Sequence, residues 1–350
     1  MKKLVIHMLK SNIYSGAENI AISLIKSLQN LFPGRYELVY ASPDGYIRQI
    51  LEAEKIPYEP LKKLSFAEIR KVIRQYRPAL IHAHDFTASL ICALTDFKIP
   101  MISHLHNNPP WIKTLNLKTL AYRFTLSRFS VVVGVSKPVI DEFWFKSIRK
   151  KSKIISNPID IRSIRTRAQT QVDEHCSGSI VFLGRLTKQK NPLRFIRLVA
   201  ELSRTIPELS AIMIGDGKFW DECTILIKNL GLDDRIKMAG FMENPYPVLA
   251  RSKVLCMPSL WEGFGLAAVE ALTLGIPVTA SPVGGLPRLV DETCGALCGD
   301  DQSFVTAILE LLGDPVIWEA KSKAAAKKAE SLENIQSYAR EMNRLYENII

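Results

Sequence analysis

The sequence predicts an α/β protein built from two doubly wound domains. Its 350 residues, 47% hydrophobic and 23% charged, are too many for one ordinary core and suit two domains of about 150 residues or more. In both halves, short apolar runs alternate with longer runs of helical spacing, which is the pattern of parallel strands connected by helices. Several apolar runs end in glycine-containing loops, and the ligands of such sheets bind beyond the carboxyl ends of the strands.

Apolar runs in the first half predict five strands, over 4–8, 37–41, 80–83, 101–105 and 131–135, with a helix over 17–28 after the first. In the second half, strands are expected over 179–183, 211–214, 236–239, 254–257 and 277–280, with helices between them. Three helices are expected to close the chain, over 303–312, 316–329 and 334–349. The polar stretch 160–177 separates the two patterns, so we predict domains over 1–162 and 163–333, followed by a helical segment over 334–350.

Composition disfavours several classes of protein. No stretch approaches the roughly 20 apolar residues of a membrane span, and the first residues turn polar too soon for a signal peptide, so we expect a cytoplasmic protein. The sequence holds neither a G-x-G-x-x-G fingerprint nor a G-x-x-x-x-G-K-[ST] loop, which disfavours dehydrogenases and nucleoside triphosphatases. The cysteines are scattered, mostly in apolar runs, and form no complete zinc-binding pattern. We therefore expect reduced, buried thiols at Cys92, Cys176, Cys223, Cys256, Cys294 and Cys298.

Charge is distributed unevenly along the chain. Residues 1–170 carry a net charge of +15, whereas the remainder carries −4. The lysines and arginines of the first half are interleaved with apolar residues such as Trp111, Leu117 and Phe124, which is typical of a peripheral face that attracts anionic lipid. The alternative is a set of solvated helix faces whose lysine stems cover the core. No zinc-finger, helix-turn-helix or RNA-binding signature accompanies the charge, so we expect no nucleic-acid partner.

The most informative segment spans 258–285, where a predicted strand passes through a glycine-rich loop into a predicted helix that ends at Gly275. Seven residues separate Glu262, in the loop, from Glu270, which falls inside the helix. Loop glycines let a ligand approach the backbone, and the unpaired N–H groups of a first helical turn attract phosphate or another anion. A buried Glu270 would need donors such as two sugar hydroxyls; a solvated acidic helix start is the alternative, disfavoured by the apolar residues around it. The candidate binding residues here are Glu262, Gly263, Phe264, Gly265, Leu266 and Glu270.

This segment resembles the E-x7-E motif of the retaining glycosyltransferases of the GT-B fold, specifically glycosyltransferase group 1, family 4. The similarity continues with Gly284 and Gly285, and further motifs follow the family's order along nearly the whole chain. The resemblance implies two Rossmann-like, doubly wound domains facing a central cleft, with the C-terminal helix crossing back to the N-terminal domain. It also implies that the N-terminal domain binds the acceptor and the C-terminal domain the nucleotide sugar. Glu262 would then bind the donor sugar's hydroxyls, and Glu270 the ribose.

A basic loop follows the strand predicted at 179–183. Arg185 and Lys190 can neutralise a diphosphate there and stabilise the extra charge that it gains on departure. Their G-R-x4-K pattern resembles a family element and implies that both bind the diphosphate; an ordinary basic strand-end loop is the alternative. By the same resemblance, Gly215 lies beside the nucleotide, Phe241 beside its base, and Gly16 near phosphate, with Ser15 replacing a second glycine that the family usually has.

Two His-x-His pairs lie at the ends of neighbouring predicted strands, His82 with His84 and His104 with His106. Because alternate strand residues point to the same face, each pair can present two imidazoles together. One interpretation is the metal centre of a hydrolase, which needs a carboxylate ligand, with Asp85 as the nearest candidate, and an open coordination position. The interpretation that we favour comes from the resemblance. It makes His106 a hydroxyl-binding and charge-stabilising group near the transferred sugar, with His82 and His104 as buried structural residues and His84 as an acceptor-side candidate.

The expected activity is that of a retaining glycosyltransferase that moves a sugar from a nucleotide diphosphate sugar to an acceptor hydroxyl, with His106, Glu262, Arg185 and Lys190 as catalytic residues. The sequence has no Asp-x-Asp pair to hold a divalent ion on a diphosphate, so we expect metal independence and no cofactor. A UDP-sugar is the first candidate donor, with GDP- and ADP-sugars as alternatives. Charge and resemblance indicate a saccharide or lipid-linked saccharide acceptor in cell-surface polysaccharide synthesis, of lipopolysaccharide or capsule, and a peripheral position on the anionic inner face of the cytoplasmic membrane. The alternatives are a metal-dependent hydrolase using the histidine pairs and a non-catalytic sugar-nucleotide-binding partner.

Overall fold

The computed structural model describes residues 2–95, 98–171 and 178–350 of the chain. Contacts divide the chain into two compact units: unit 1 comprises Met1–Pro158 with Asn334–Ile350, and unit 2 comprises Ile159–Glu333. The domain boundary predicted after residue 162 falls four residues beyond this division. Cys176 lies outside the described residues, so its state stays a prediction.

Unit 1 is built on a parallel sheet. Its described strands are β1 Lys3–Met8, β2 Tyr36–Pro43, β3 Tyr58–Leu61, β4 Leu80–His84, β5 Met101–Leu105, β6 Val131–Gly134 and β7 Ser152–Ile154. They pair in the order β3-β2-β1-β4-β5-β6-β7. Strands β4 and β5 are buried along their whole length, as expected in a doubly wound sheet. The five strands predicted in this half are present, whereas the edge strands β3 and β7 carry no prediction from the sequence.

The helices of unit 1 include one from the far end of the chain. Those before residue 158 are α1 Gly16–Leu31, α2 Ile47–Ala53, α3 Phe66–Tyr76, α4 Asp85–Thr95, α5 Leu117–Thr125 and α6 Lys137–Asp141. The C-terminal helix α15, Ile335–Ile349, packs against α1. Its Tyr338, Met342 and Tyr346 share one core with Leu24 and Leu28 of α1. This confirms the prediction that the last helix returns to the N-terminal half.

Unit 2 is built on a second parallel sheet. Its described strands are β8 Ile180–Leu183, β9 Ala211–Ile214, β10 Ile236–Gly240, β11 Val254–Met257, β12 Val278–Ala280 and β13 Gly295–Leu297, paired in the order β10-β9-β8-β11-β12-β13. The helices are α7 Ile161–Ala168, α8 Pro192–Leu202, α9 Trp220–Asn229, α10 Tyr246–Ala250, α11 Leu266–Thr273, α12 Leu286–Leu289, α13 Asp301–Gly313 and α14 Pro315–Leu332. The predicted strands of this half are present, and β13 adds an edge strand that the sequence analysis does not contain. Each unit is thus a Rossmann-like α/β domain.

The described cysteines are buried free thiols, as predicted: Cys92, Cys223, Cys256, Cys294 and Cys298. Burial raises the pKa of the Cys256 thiol to about 12, so this thiol stays protonated and packs as a small apolar side chain. None of the helices within the described ranges combines the length and the apolar character that crossing a membrane requires.

Candidate active site

Three strand-end loops of unit 2 are joined backbone to backbone. The N–H of Gly184, after β8, donates to the carbonyl of Ile214 at 3.0 Å, and the N–H of Gly215, after β9, donates to the carbonyl of Gly240 at 2.7 Å. Gly215 has a φ of +137°, and a Cβ there would lie 2.0 Å from the carbonyl oxygen of Gly184. Glycine is therefore required at 215 for the loops to meet, which is a structural reason independent of any ligand.

In the basic loop after β8, a lysine that we predicted to bind the diphosphate contacts a glutamate that we predicted to bind the donor sugar. Lys190 Nζ donates to Glu262 Oε2 at 2.6 Å, and Ser259 Oγ lies 3.4 Å from the same oxygen. Glu262 is only 7% exposed, so this ion pair is largely shielded from water. The guanidinium of Arg185 is exposed and forms no ion pair with any residue in the described part of the chain. Two of the four predicted catalytic residues are thus in direct contact, and a third lies in the same loop.

The glycine-rich loop between β11 and α11 is held in place by the turn that contains Gly284 and Gly285. Gly265, with a φ of +102°, is the N-cap residue of α11, so the first-turn N–H groups of that helix follow directly after the Glu262 loop. Gly284 has a φ of +56°, and a Cβ there would lie 1.5 Å from the Glu262 carbonyl oxygen. The N–H of Gly285 donates to that oxygen at 3.3 Å. The turn after β12 therefore supports the loop that carries Glu262.

Glu270 lies one turn inside α11, as predicted, and is half-buried. Tyr246 Oη donates to Glu270 Oε1 at 3.2 Å, and the Arg167 guanidinium stacks over the Tyr246 ring at 4.8 Å. Burial raises the pKa of Glu270, while the Tyr246 hydrogen bond and the charges of Arg167 and Lys190 oppose the rise. The sequence analysis missed Tyr246 and Arg167, and no motif spacing connects either of them to Glu270.

Two further predicted contacts lie at strand ends. Phe241, directly after β10, is 48% exposed, and its role beside a base stays a prediction. In unit 1, α1 begins at Gly16, and Ser15 precedes it in an extended conformation. The Ser15 hydroxyl donates to the Glu18 carboxylate at 2.5 Å, so the residue that replaces the second glycine is held by the helix it precedes.

Histidines of unit 1 form a stacked cluster at the carboxyl ends of β1, β4 and β5. His82, His84 and His104 are fully buried, and His106 is half-buried. The parallel register places His7 of β1 opposite His82, and His84 opposite His104. His7 belongs to this cluster and was missed, because it forms no His-x-His pair in the sequence. The prediction that His82 and His104 are buried is confirmed.

The imidazoles of this cluster are held neutral. Burial lowers the pKa of each, that of His7 and that of His106 to about 3. Ring nitrogens of His7, His82 and His84, and those of His84, His104 and His106, lie within 4.8 Å of one another. Within the described residues, each of these groups consists of histidines alone. Asp85, the carboxylate that the hydrolase interpretation names, belongs to neither group, and its Oδ1 accepts a hydrogen bond from the His106 backbone N–H at 3.0 Å.

Known proteins are similar to this chain over most of its length. It is 27% identical over 301 residues to N-acetyl-alpha-D-glucosaminyl L-malate synthase of Bacillus anthracis, covering 81% of this chain and 78% of that protein. It is 26% identical over 258 residues, covering 71% and 68%, to a Campylobacter jejuni alpha-1,4-N-acetyl-D-galactosaminyltransferase whose named acceptor is a saccharide on PP-undecaprenol. The crystal structure of Anabaena Alr3699/HepE in complex with UDP and glucose has the same fold, with a TM-score of 0.86, 22% identity and coverage of 99% and 100%.

Two family models match the chain in succession. The model described as Glycosyltransferase Family 4 matches residues 14–163, and the model described as Glycosyl transferases group 1 matches residues 171–342. Together they span nearly the whole chain, one on each half, and the similarity to the fold of the Anabaena structure covers 99% of the chain. The chain belongs to the group 1, family 4 glycosyltransferases of the GT-B fold.

Proposed function

We propose that this enzyme transfers a sugar from a nucleotide diphosphate sugar to an acceptor hydroxyl, with retention of anomeric configuration and without a bound metal. The observation that carries the proposal is the cluster at the strand ends of unit 2. There, Lys190 contacts Glu262 beside the N-terminus of α11, and Arg185 lies in the same loop. Cations and helix N–H groups suit a diphosphate, and carboxylates suit sugar hydroxyls.

The Lys190–Glu262 pair can serve the donor without breaking. An ammonium group has three N–H donors, so Lys190 can keep Glu262 and still donate to a phosphate oxygen. Glu262 has further lone pairs for the hydroxyls of the donor sugar. One oxygen of Glu270 accepts a hydrogen bond from the Tyr246 hydroxyl, and we propose that this carboxylate also binds the ribose hydroxyls. Phe241 and Gly215 would lie beside the base and the phosphates.

The proposed step breaks the bond between the anomeric carbon and the diphosphate oxygen, and the electron pair stays on the diphosphate. The acceptor hydroxyl attacks the same face of a short-lived oxocarbenium ion and passes its proton to the departing phosphate oxygen. Arg185 and Lys190 stabilise the charge that develops on this leaving group, so their effect is larger in the transition state than in the ground state. We assign to His106, from the family resemblance, the role of a hydroxyl-binding and charge-stabilising group for the transferred sugar.

A UDP-sugar is the proposed donor, supported by the fold relative that was solved with UDP and glucose and also with UDP-glucose. GDP- and ADP-sugars are the alternatives, and a thermal-shift screen of the three classes separates them. An unchanged rate in the presence of EDTA is expected, because protein cations neutralise the diphosphate. Loss of activity with the chelator would instead support a metal-dependent reaction.

Substitutions in the unit 2 cluster test the assignment. Lys190→Ala and Arg185→Ala are each expected to lower kcat by roughly 10²- to 10³-fold, the usual effect of removing one donor from a developing negative charge. Lys188→Ala is the matched control, because Lys188 is an exposed cation two residues earlier in the same loop. The site assignment is wrong if Arg185→Ala and Glu270→Ala each leave transfer and donor hydrolysis unchanged. Donor binding without turnover by the unmodified protein would indicate a non-catalytic partner.

The proposal extends to a lipid-linked saccharide acceptor in cell-surface polysaccharide synthesis, at the inner face of the cytoplasmic membrane. The Campylobacter relative named for a PP-undecaprenol saccharide supports it, and so does one surface of unit 1. Leu117 and Phe124, which are 85% and 79% exposed, lie seven residues apart on α5 and so share a face of that helix. Lys118 on the same helix supplies positive charge, whereas the charge of Lys113, just before it, is offset by an ion pair with Glu142 at 3.2 Å. Exposed apolar side chains among cations are the features that anionic lipid recognises.

Vesicle sedimentation tests this surface. The protein is expected to bind phosphatidylglycerol vesicles and not phosphatidylcholine vesicles, with binding weakened by salt. The double variant Leu117→Ser, Phe124→Ser is expected to lose binding. Val316→Ser is the control, because Val316 is 77% exposed on α14 of unit 2, outside the surface. Equal binding by both variants would remove the membrane proposal and leave the transferase proposal intact.

A further inference from the structure

Six side chains of unit 1, five buried and one half-buried, form one continuous hydrogen-bonded chain, here called the histidine relay. His104 Nδ1 faces His82 Nε2 at 3.1 Å, and His82 Nδ1 faces the Tyr346 hydroxyl at 2.7 Å. The same hydroxyl lies 3.4 Å from His7 Nε2. His7 Nδ1 faces His84 Nε2 at 3.1 Å, and His84 Nδ1 faces His106 Nε2 at 2.9 Å. Tyr346, on α15, is the link between the two histidine arms.

The proton positions in the relay follow from counting donors. A neutral imidazole has one N–H donor and one bare acceptor nitrogen, and a tyrosine hydroxyl donates once. When Tyr346 accepts from one arm and donates to the other, the five contacts all have a donor in only two arrangements. In one, every imidazole carries its proton on Nδ1; in the other, every imidazole carries it on Nε2. A third arrangement, in which both arms donate to the Tyr346 oxygen, leaves the O–H of this fully buried residue without an acceptor among these contacts and is therefore disfavoured. Because burial keeps the pKa of each ring well below its usual value, a second proton is absent from all of them at neutral pH.

The two ends of the relay decide between these arrangements. His104 Nε2 and His106 Nδ1 are buried and have no partner among the described residues. The Nε2–H arrangement would leave an unpaired N–H on His104, whose side chain is fully buried. Orphaned buried N–H groups are rarer than under-used acceptors. The Nδ1–H arrangement leaves the free N–H on His106 instead; its Nδ1 is covered too, but the side chain as a whole is half-buried, so this end of the relay lies nearer to solvent than His104 does.

We propose that the relay holds all five imidazoles in the Nδ1–H tautomer, so that His106 presents a fixed N–H donor to a neutral sugar oxygen, with Tyr346 as a positioning residue. The role of the sugar rests on the proposed function; the tautomers do not. Tyr346 acts through His7 and His84, because its hydroxyl donates to His7 Nε2 and so makes His7 and then His84 donors from Nδ1. The C-terminal helix thereby sets the hydrogen-bonding character of a side chain at the end of β5.

Nitrogen-15 NMR of the full chain, labelled at histidine, tests the tautomers directly, because protonated and bare ring nitrogens have well-separated shifts. All five relay imidazoles are expected to be neutral and protonated at Nδ1. The sixth histidine, His175, lies outside the described residues, and its signals are assigned with a His175→Gln variant. A relay imidazole with its proton on Nε2, or with two protons, would overturn the proposal.

A pair of tyrosine variants on α15 tests the positioning role. Tyr346→Phe removes the linking hydroxyl and is expected to let His84 and His106 populate both tautomers. It should lower kcat about tenfold, the effect of about one hydrogen bond, with KM for the donor unchanged. Tyr338→Phe is the matched control, because Tyr338 is buried on the same helix and its hydroxyl has no partner among the described residues. Equal kcat values and equal histidine spectra for the two variants would refute the role of Tyr346. A lack of transfer by the unmodified enzyme would count against the proposed function and leave the NMR result valid.

Discussion

Gly284 shows how a single residue supports the site of unit 2. Its backbone is left-handed, and its Cα approaches Glu262 so closely that a side chain has no room beside the Glu262 carbonyl. A side chain at this position would collide with the backbone of the loop whose Glu262 pairs with Lys190. The family resemblance pointed to Gly284 and Gly285 without a reason, and the reason is this backbone contact.

Gly284→Ala is expected to destabilise unit 2 and to displace Glu262. A left-handed φ costs alanine about 1–2 kcal/mol, and the contact with a backbone oxygen adds to this because backbone yields little. We expect a loss of more than about 2 kcal/mol in the unfolding free energy of unit 2, measured by hydrogen exchange of its peptides. Gly299→Ala is the control, since a Cβ there meets nothing within 4 Å. Its effect should stay below about 0.5 kcal/mol. Similar losses for both variants would contradict this account.

Single residues also show which parts of the candidate site could not be predicted from the sequence. His106 was found because a motif contains it, whereas His7 is one histidine in an apolar strand. Only the register of β1 against β4 brings His7 to His82, and register depends on the pairing of distant segments. Tyr246 and Arg167 were missed for the same reason, because they reach Glu270 from α10 and α7. Residues inside one loop–helix segment were predictable, and partners from other elements were not.

Among the elements, length and composition decided which could be predicted. Strands β9 and β11, each of four consecutive apolar residues, were located to the residue, and β8, which is also apolar throughout, was located to within one residue. The missed strands β3, β7 and β13 are short edge strands: β3 contains Pro60, and β13 begins at Gly295. Proline and glycine lower strand propensity, and an edge strand tolerates proline because one side needs no hydrogen bond. The terminal helix α15 was predictable because its apolar face repeats at helical spacing.

The contribution of α15 to unit 1 can be measured at one core position. Met342 is fully buried in the core that α15 shares with α1. Met342→Ala is expected to lower the unfolding free energy of unit 1 by about 2–5 kcal/mol, the usual cost of such a truncation. Arg344→Ala, two residues further along α15 and exposed, is the control and should change it by less than about 0.5 kcal/mol. Hydrogen exchange of β1 and β4 peptides reports the difference. Unchanged protection in Met342→Ala would mean that α15 does not stabilise this unit.

At the scale of the whole molecule, the sequence predicted two α/β units and their unequal charge. The chain length and the two strand–helix patterns were sufficient to predict two units. Counting the charged residues of each half was sufficient to predict their unequal charge. The spatial order of the strands was not predicted, because parallel strands are joined by crossovers and apolar runs do not specify which neighbour each strand takes. The positive unit carries the exposed apolar residues of α5, while the other unit carries the cation–carboxylate cluster.

The buried histidines make the stability of unit 1 depend on pH. Burial lowers the pKa of His7 and of His106 to about 3, below the value of about 6.5 expected in the unfolded chain. Unfolded chains therefore bind protons first, so stability is fully present above about pH 6.5 and is lost as the pH falls toward 3. Each such histidine contributes a slope of up to about 1.4 kcal/mol per pH unit. The denaturant concentration at which unit 1 is half unfolded, measured by hydrogen exchange of its peptides, should decrease as the pH is lowered. Unit 2, which has no histidine among its described residues, is the internal reference, and equal slopes in both units would contradict the account.

The central claim is that protein cations and backbone N–H groups of unit 2, without a metal, neutralise the donor diphosphate. A crystal structure with a non-transferable UDP-sugar analogue, grown in EDTA and again with magnesium, tests it most directly. The account predicts the same complex in both crystals. In it, diphosphate oxygens lie within hydrogen-bond distance of Arg185 and Lys190, near the start of α11, and Glu270 accepts from the ribose. Diphosphate bound away from these residues, or an ion bridging its phosphates in the magnesium crystal, would contradict it.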